Sequence, residues 1–439
     1  MDADCSSAGN VLSVVLREAL LTPRADGCRA GLTSICSAHP VVLEEVLRHG
    51  REHPGVVLIE ATCNQVNQDG GYTGMRPSGF RRFVEEIADR VGFPRDHLIL
   101  GGDHLGPHPW RNLPPAVALD RAVTLVAEYV EAGFQKIHLD ASMGCVGEPP
   151  RLDDETTAER ASLLAGAAEL ATRRARGQPV EYVIGTEVPI PGGALSGLDR
   201  ATVTTPEEAT RTLEANRSAF VRRGLQAAFE RVLAMVVHPG VEFGDDFVMN
   251  YDPTQASKLT SWLDARSNLV FEAHSTDYQA PHALITLVQD GFAVLKVGPW
   301  LTFALREALY GLDHIAEELF PDDRTETLRA TMERLMCSSP DHWRQYYRGD
   351  DISVRIKRHY SYSDRIRYYW AHPESKRAVA RLLALLGDKR IPAPMVSQYL
   401  AAVYERVCTG STPATGSELL RAMIRVVIER YDRATVSRG

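Results

Sequence analysis

The sequence predicts an α/β protein, a (β/α)8 TIM barrel carrying a C-terminal helical extension. Three observations lead there. Eight short apolar runs rich in β-branched residues lie between residues 32 and 299, segments of helical period separate them, and the strand signal stops near residue 310. The repeats occupy about 270 residues, close to the ~250 typical of such a barrel. A doubly wound open sheet is the competing arrangement. The expected division is a barrel domain over residues 1–310 and a helical domain over 311–439 packed against it, with no linker or low-complexity tract between them.

In chain order, the opening MDADCSSAGNVLSVVLREALL breaks its apolar stretch with Arg17 and Glu18, so it reads as a short amphipathic helix and not as a signal peptide or membrane span. The first run, LTSICSA at 32–38, supplies Ser37 and, just beyond, His39. The second, VVLIEATCN at 56–64, carries Glu60 and Asn64; the glycine-rich QDGGYTGM at 68–75 that follows reads as a flexible loop over the barrel mouth. LILGGDH at 98–104 stops on Asp103 and His104, and KIHLDAS at 136–142 contains His138 and Asp140. EYVIGTEV at 181–188 brings Glu187, and LAMVVHPG at 233–240 brings His238. LVFEAHST at 269–276 ends on His274, Ser275 and Thr276, and AVLKVGP at 293–299 supplies Lys296 and Gly298. Beyond residue 310, SKRAVARLLALLGD and GSELLRAMIRVVIERYDR continue as helices.

Composition narrows the function classes. A formal net charge of −8 with scattered Lys and Arg offers no basic face, so a small molecule is the expected partner, with no nucleic acid and no membrane. Seven cysteines without paired or zinc-ribbon spacing indicate reduced thiols and a cytoplasmic protein. No glycine-rich loop is followed by Lys-Ser or Lys-Thr, and the 68–75 stretch lacks the spacing of a dinucleotide fingerprint, so neither ATP nor NAD is expected.

Barrel active sites lie at the C-terminal ends of the strands, where this chain places its polar residues. His104, His238 and His274 end the third, sixth and seventh runs with carboxylates nearby. Three imidazoles facing one open position suit a catalytic divalent ion, Zn²⁺ or else Mn²⁺, Ni²⁺ or Co²⁺. Lys296 has three readings: a Schiff-base nucleophile, a phosphate contact beside Ser275, Thr276 and Gly298, and a structural ion pair.

The motifs GGDHLGP, KIHLDAS, VIGTEVP, VVHPGVEF, FEAHSTDYQ, LKVGPWLTFALREAL and SDRIRYYW, with ICSAHP and IEATCNQVNQDGGYTGM, resemble the large Z-type subunit of class II tagatose-1,6-bisphosphate aldolase from about residue 30 to 370. The resemblance implies a barrel acting on a sugar or sugar phosphate. It carries the class II pattern onto Asp103 with His104, then His238 and His274, with Asp103 handling the C4-hydroxyl proton of a ketose; alternatively Asp103 caps a helix or orients a histidine. Glu187 would ligate metal or shuttle protons, or else form a surface ion pair. Asn64, His138, Asp140, Ser275, Thr276, Lys296 and Gly298 are expected to meet substrate, and Arg365, in a segment that also holds Arg367 and two tyrosines, to fold over the mouth.

Three activities are compatible with that family. One is C4 epimerisation between D-tagatose 6-phosphate and D-fructose 6-phosphate, or the free sugars, by breaking, turning and rejoining the C3–C4 bond. Another is aldolase cleavage, and the third is non-catalytic support of a smaller aldolase subunit. The ligand set lacks no member, which favours an active enzyme, alone or as a homo-oligomer.

Overall fold

The computed structural model describes residues 8–22, 29–53, 55–185, 202–323 and 325–435. Eight parallel strands close into a barrel: β1 (Leu32–Ile35), β2 (Val57–Thr62), β3 (Leu98–Leu105), β4 (Lys136–Leu139), β5 (Glu181–Gly185), β6 (Val232–Val236), β7 (Val270–Ala273) and β8 (Val294–Val297). Closure is direct, since Leu32 of β1 is in register with Val294 of β8 and Ser34 with Leu58 of β2. All eight predicted runs are strands, each inside its expected span or within a residue of it. Most strands stop two to four residues early, and where those tails are described they pass into the mouth loops.

Because side chains alternate along a strand, every second residue faces the barrel axis. At the N-terminal end these are Leu58, Ile99, Val183, Val270 and Val294, all buried together with Leu16 and Leu20 of the helix Ala8–Leu21. The amphipathic opening helix therefore plugs the bottom of the barrel, tied by Arg17 to Glu181 at 2.7 Å. Further along the strands the axis turns ionic: Glu60, Asp103, His138, Glu272 and Lys296 are buried there, with Lys136 beside them. The intervening residues, such as Ile59, Ala61, Ile137 and Phe271, face outward into the helix layer.

The helical extension is fastened to the same core. Its last helix, Gly416–Thr435, sends the Tyr431 hydroxyl to the carbonyl of Thr276 at 2.9 Å, and Gly31 N–H donates to Thr435 O at 3.4 Å. Arg425 of that helix pairs with Glu45 and Glu52 of the helix Pro40–Glu52. The divide expected at residue 310/311 lies inside the helix Pro299–Leu319, which follows β8 and is buried along most of its length. No described helix is long and apolar enough to cross a membrane.

Candidate active site at the barrel mouth

The GGDH turn builds the centre. Gly101 has no side chain because a Cβ there would lie 2.7 Å from the Cγ of buried Glu60, and a Cβ on Gly106 would collide with the Asp140 carbonyl at 1.6 Å. Between Gly102 and Leu105 the register of β3 against β4 slips, a bulge of the kind that re-aims side chains at sites. His104 lies in that bulge with φ 49°, a left-handed conformation that a non-glycine residue holds only under outside constraint. Three other non-glycine residues share it near the mouth: Ser275, Tyr278 and Asp364.

The constraint on His104 is Asp140, whose Oδ2 meets Nδ1 at 2.8 Å and leaves Nε2 facing Asp103 Oδ1 at 3.8 Å. Asp140 is itself held by the Ser142 hydroxyl at 2.9 Å. His274 is backed in the same way, with Nε2 at 3.0 Å from Glu272 Oε1. A carboxylate behind an imidazole fixes the tautomer and raises its basicity, the usual support of a metal-ligating histidine. His138 is pinned at both nitrogens: Nε2 donates to Gly185 O at 3.1 Å, while Nδ1 lies 3.2 Å from the His104 amide and 3.1 Å from Asp103 Oδ1. One ligand atom each from Asp103, His104, His138 and His274 falls within 4.8 Å of the others. His238 stands on the loop after β6, where its Nδ1 accepts from Gly240 N–H at 3.0 Å. Glu187 lies outside the described residues.

Beneath the histidines runs an ion network that only the fold assembles. Lys136 Nζ is 2.6 Å from both Glu60 and Glu272. Lys296 Nζ contacts Asp103 closely, Glu60 at 3.1 Å and Glu272 at 3.4 Å. Burial alone would lower the Lys296 ammonium, but Asp103, Glu60 and Glu272 hold it well above its ordinary value. Its three carboxylate partners place the ammonium in an ion-paired network, which accords with the ion-pair reading and disfavours a free amine nucleophile. Asp103 is held well below the usual carboxylate range: burial opposes this, and His104, Lys296 and His138 outweigh it. Its Oδ1 takes those partners, while among the described residues Oδ2 has only the Cys36 thiol at 3.9 Å. Lys136 and Glu272 were missed in the sequence, although a charge at an inward position of an otherwise apolar run was the signal for both.

The chemistry of these donors fits a divalent cation. Three carboxylates, Glu60, Asp103 and Glu272, face two ammonium groups, Lys136 and Lys296, and a fourth, Asp140, backs His104, so carboxylates outnumber ammonium groups beside the histidine set. Burial favours the neutral form of two of these histidines, lowering His238 to about 4 and His274 to about 3. His104 goes up instead, since Asp103 and Asp140 outweigh its burial.

The buried histidines set an acid limit on stability. His238, His274 and His359, the last lowered to about 4 by burial, bind no proton in the folded state where an unfolded histidine near 6.5 does. Their contribution is complete above pH 6.5 and is lost as pH falls towards 4, each at about 1.4 kcal/mol per pH unit. Asp277 and Asp364, pushed up by burial to about 6 and about 7, run the opposite way and offset part of it. Denaturant midpoints of metal-free protein should drop steadily from pH 6.5 to 4. A flat profile over that interval would contradict the buried neutral imidazoles.

Other expected substrate residues are placed differently. Thr276 donates its hydroxyl to Lys296 O at 2.6 Å beneath the last helix, and Gly298 N–H is taken by Asp277 Oδ1 at 3.1 Å. Ser275 is buried with a hydroxyl that has no hydrogen-bond partner among the described residues. Asn64 is exposed, whereas Gln65 and Asn67 beside it are buried and build the 68–75 turn; Asn67 binds Cys63 O and accepts from Asp69 and Gly71 N–H. The loop expected to be flexible is thus internally bonded. Arg365 turns away, stacking on Tyr346 at 3.0 Å and donating to His342 O.

Fold and site together define a (β/α)8-barrel protein with a histidine–carboxylate centre at its C-terminal mouth. The chain belongs to the GatZ/KbaZ-like family of D-tagatose-1,6-bisphosphate aldolase subunits, whose model matches residues 17–436. It is 51% identical over 418 residues, 95% of this chain and 98% of the other, to the D-tagatose 6-phosphate 4-epimerase of Agrobacterium fabrum. Its fold is similar, at a TM-score of 0.86 and 50% identity over 92% of this chain and 100% of the other, to the crystal structure of a probable tagatose 6 phosphate kinase from Sinorhizobium meliloti.

Proposed function

We propose that this chain is a metal-dependent ketohexose 6-phosphate 4-epimerase that interconverts D-tagatose 6-phosphate and D-fructose 6-phosphate by retro-aldol cleavage. The observation that carries the reading is the pair of carboxylate-backed histidines, His104 and His274, around an aspartate with one open oxygen. Similarity to the Agrobacterium epimerase over nearly both full chains supports the substrate. The phosphoryl-transfer name of the Sinorhizobium protein finds no phosphate loop here. The free cysteines among the described residues accord with a cytoplasmic location.

A divalent ion held by His104, His238 and His274 would supply Lewis-acid polarisation of the ketose C2 and C3 oxygens. Asp103 Oδ2 takes the C4-hydroxyl proton as the C3–C4 bond breaks, yielding an enediolate over C2 and C3 and an aldehyde at C4. Lys296 holds Asp103 Oδ1, so Oδ2 is the oxygen that moves the proton. The aldehyde turns to present its other face, the bond re-forms, and Asp103 returns the proton to the C4 oxygen. Glu187 is the second carboxylate for this task. Releasing the aldehyde instead would give an aldolase.

The test is turnover of fructose 6-phosphate in deuterated water. Tagatose 6-phosphate should form with its C4 hydrogen retained, because that hydrogen never leaves carbon. Deuterium at C4 would replace the retro-aldol route by direct deprotonation. If the metal-loaded chain turned over neither sugar phosphate but activated a smaller aldolase, it would be the supporting subunit.

A further inference from the structure

The extension does more than brace the barrel. Residues 361–369 lie across the rim of the mouth. Tyr362 N–H donates to Asp245 O in the loop after β6, and Tyr278 after β7 donates its hydroxyl to Tyr362 O at 2.7 Å. Thr302, after β8, donates to Asp364 Oδ2 at 2.5 Å. On the other side Tyr368 meets Tyr72 of the 68–75 turn edge to face, with ring centres 5.0 Å apart. The segment thus touches the loops after β2, β6, β7 and β8.

In the middle of it stands Arg367. Its Nη1 donates to the carbonyls of Ser363 and Asp364, and its Nη2 to the Tyr368 hydroxyl at 2.9 Å. These bonds fix the guanidinium and leave Nε–H and one Nη2–H without a partner among the described residues. No carboxylate among the described residues lies within ion-pair distance of it, whereas Arg358 of the same extension pairs with Glu333. A positioned guanidinium with free N–H groups is suited to a bidentate phosphate contact.

Most other candidate groups for a phosphate among the described residues are engaged, the Ser275 hydroxyl after β7 being the exception. Barrels commonly bind it at the loops after β7 and β8, but here Asp277 occupies the amides of Gly298 and Trp300 at 3.1 and 2.8 Å. Lys296 is enclosed by three carboxylates, and Arg365 faces His342 and Tyr346. Burial pushes Asp364 and Asp277 up to about 7 and about 6, which reduces their repulsion of an anion near Arg367.

We propose that Arg367 anchors the phosphate at C6 of the substrate and thereby retains the aldehyde fragment while its C4 carbonyl turns over. The inference rests on the sugar-phosphate reading above. In the retro-aldol step the C6 phosphate stays on the aldehyde half, so a fixed phosphate is a pivot about which the aldehyde can rotate without leaving.

Equilibrium binding of fructose 6-phosphate and of fructose to the metal-loaded full chain tests this, with inorganic phosphate as competitor. In the wild type the phosphate ester should bind far more tightly than the free sugar, and inorganic phosphate should displace it. Arg367→Gln should reduce that preference by roughly 10–100-fold, the range of a charge-assisted contact. Arg367→Lys, which keeps the charge but not the fork, should lose roughly 5–10-fold on the same scale. Equal weakening of both sugars, an unchanged preference in either variant, or a wild type without preference would overturn the proposal. Should Arg367→Gln fail to fold, Arg367→Lys decides alone. Because the measurement is binding, a wild type that prefers the phosphate ester through Arg367 yet inverts nothing at C4 would refute the epimerase reading and leave the anchor standing.

Discussion

Lys296→Met is expected to lower the stability of the protein by about 3–5 kcal/mol, the usual effect of removing one partner from a buried ion network. Lys296 Nζ lies among Asp103, Glu60 and Glu272, all at most 2% exposed, and without it Lys136 alone faces Glu60 and Glu272. The Asp103 carboxyl then rises from its depressed value because the Lys296 charge that helped hold it down is gone. Turnover should fall by on the order of 10²–10⁴, the contribution of a positioned acid–base group, and the acid limb of the pH–rate profile should move to higher pH. Chemical denaturation and pH–rate profiles of the same variant measure both effects. A variant as stable as the wild type with an unmoved acid limb would show that Lys296 does not hold Asp103. Borohydride in the presence of substrate should trap no lysine adduct in the wild type, since the ammonium stays protonated.

The second large effect concerns the ligands. His104→Ala and His274→Ala should each abolish stoichiometric binding of a divalent metal and lower turnover by on the order of 10³, several kcal/mol of lost charge stabilisation. His238→Ala should do the same. His138→Gln separates this set from mere proximity: His138 lies among His104, His274 and Asp103, but both its nitrogens are committed to Gly185, His104 and Asp103. It should keep its metal while losing activity through a displaced Asp103. Elemental analysis of each purified variant gives the answer directly. Loss of metal in His138→Gln with retention in His238→Ala would exchange the two roles.

Much of the barrel was readable along the chain because its strands are buried on both faces, so each appears as a short apolar run whatever lies beside it. The ends of those runs gave the site's address for the same reason: a polar residue tolerated there must face the mouth. Asp103, His104, His138, Asp140 and His274 were all found this way. The roles within that set were not. His138 and His104 look alike in sequence, and only hydrogen bonds from residues 34 to 47 positions distant distinguish a ring pinned at both nitrogens from one held at Nδ1.

What the sequence by itself determined was the eight-fold repeat, the opening helix and the polar rim, all of which follow from local patterns: short apolar runs, their polar ends and the 3.6-residue period of the helices. The tertiary structure alone decided the charge balance and the rim's cover. Lys296 and Glu60 are 236 positions apart, and the pairing of β1 with β8 and β2 brings them together. Arg365 and Arg367 differ by two positions on one short turn, yet one stacks on Tyr346 and the other is held by Ser363, Asp364 and Tyr368. Electrostatic partnership depends on distance through space across the closed barrel, and no local pattern encodes a distance between residues that meet only when the barrel closes.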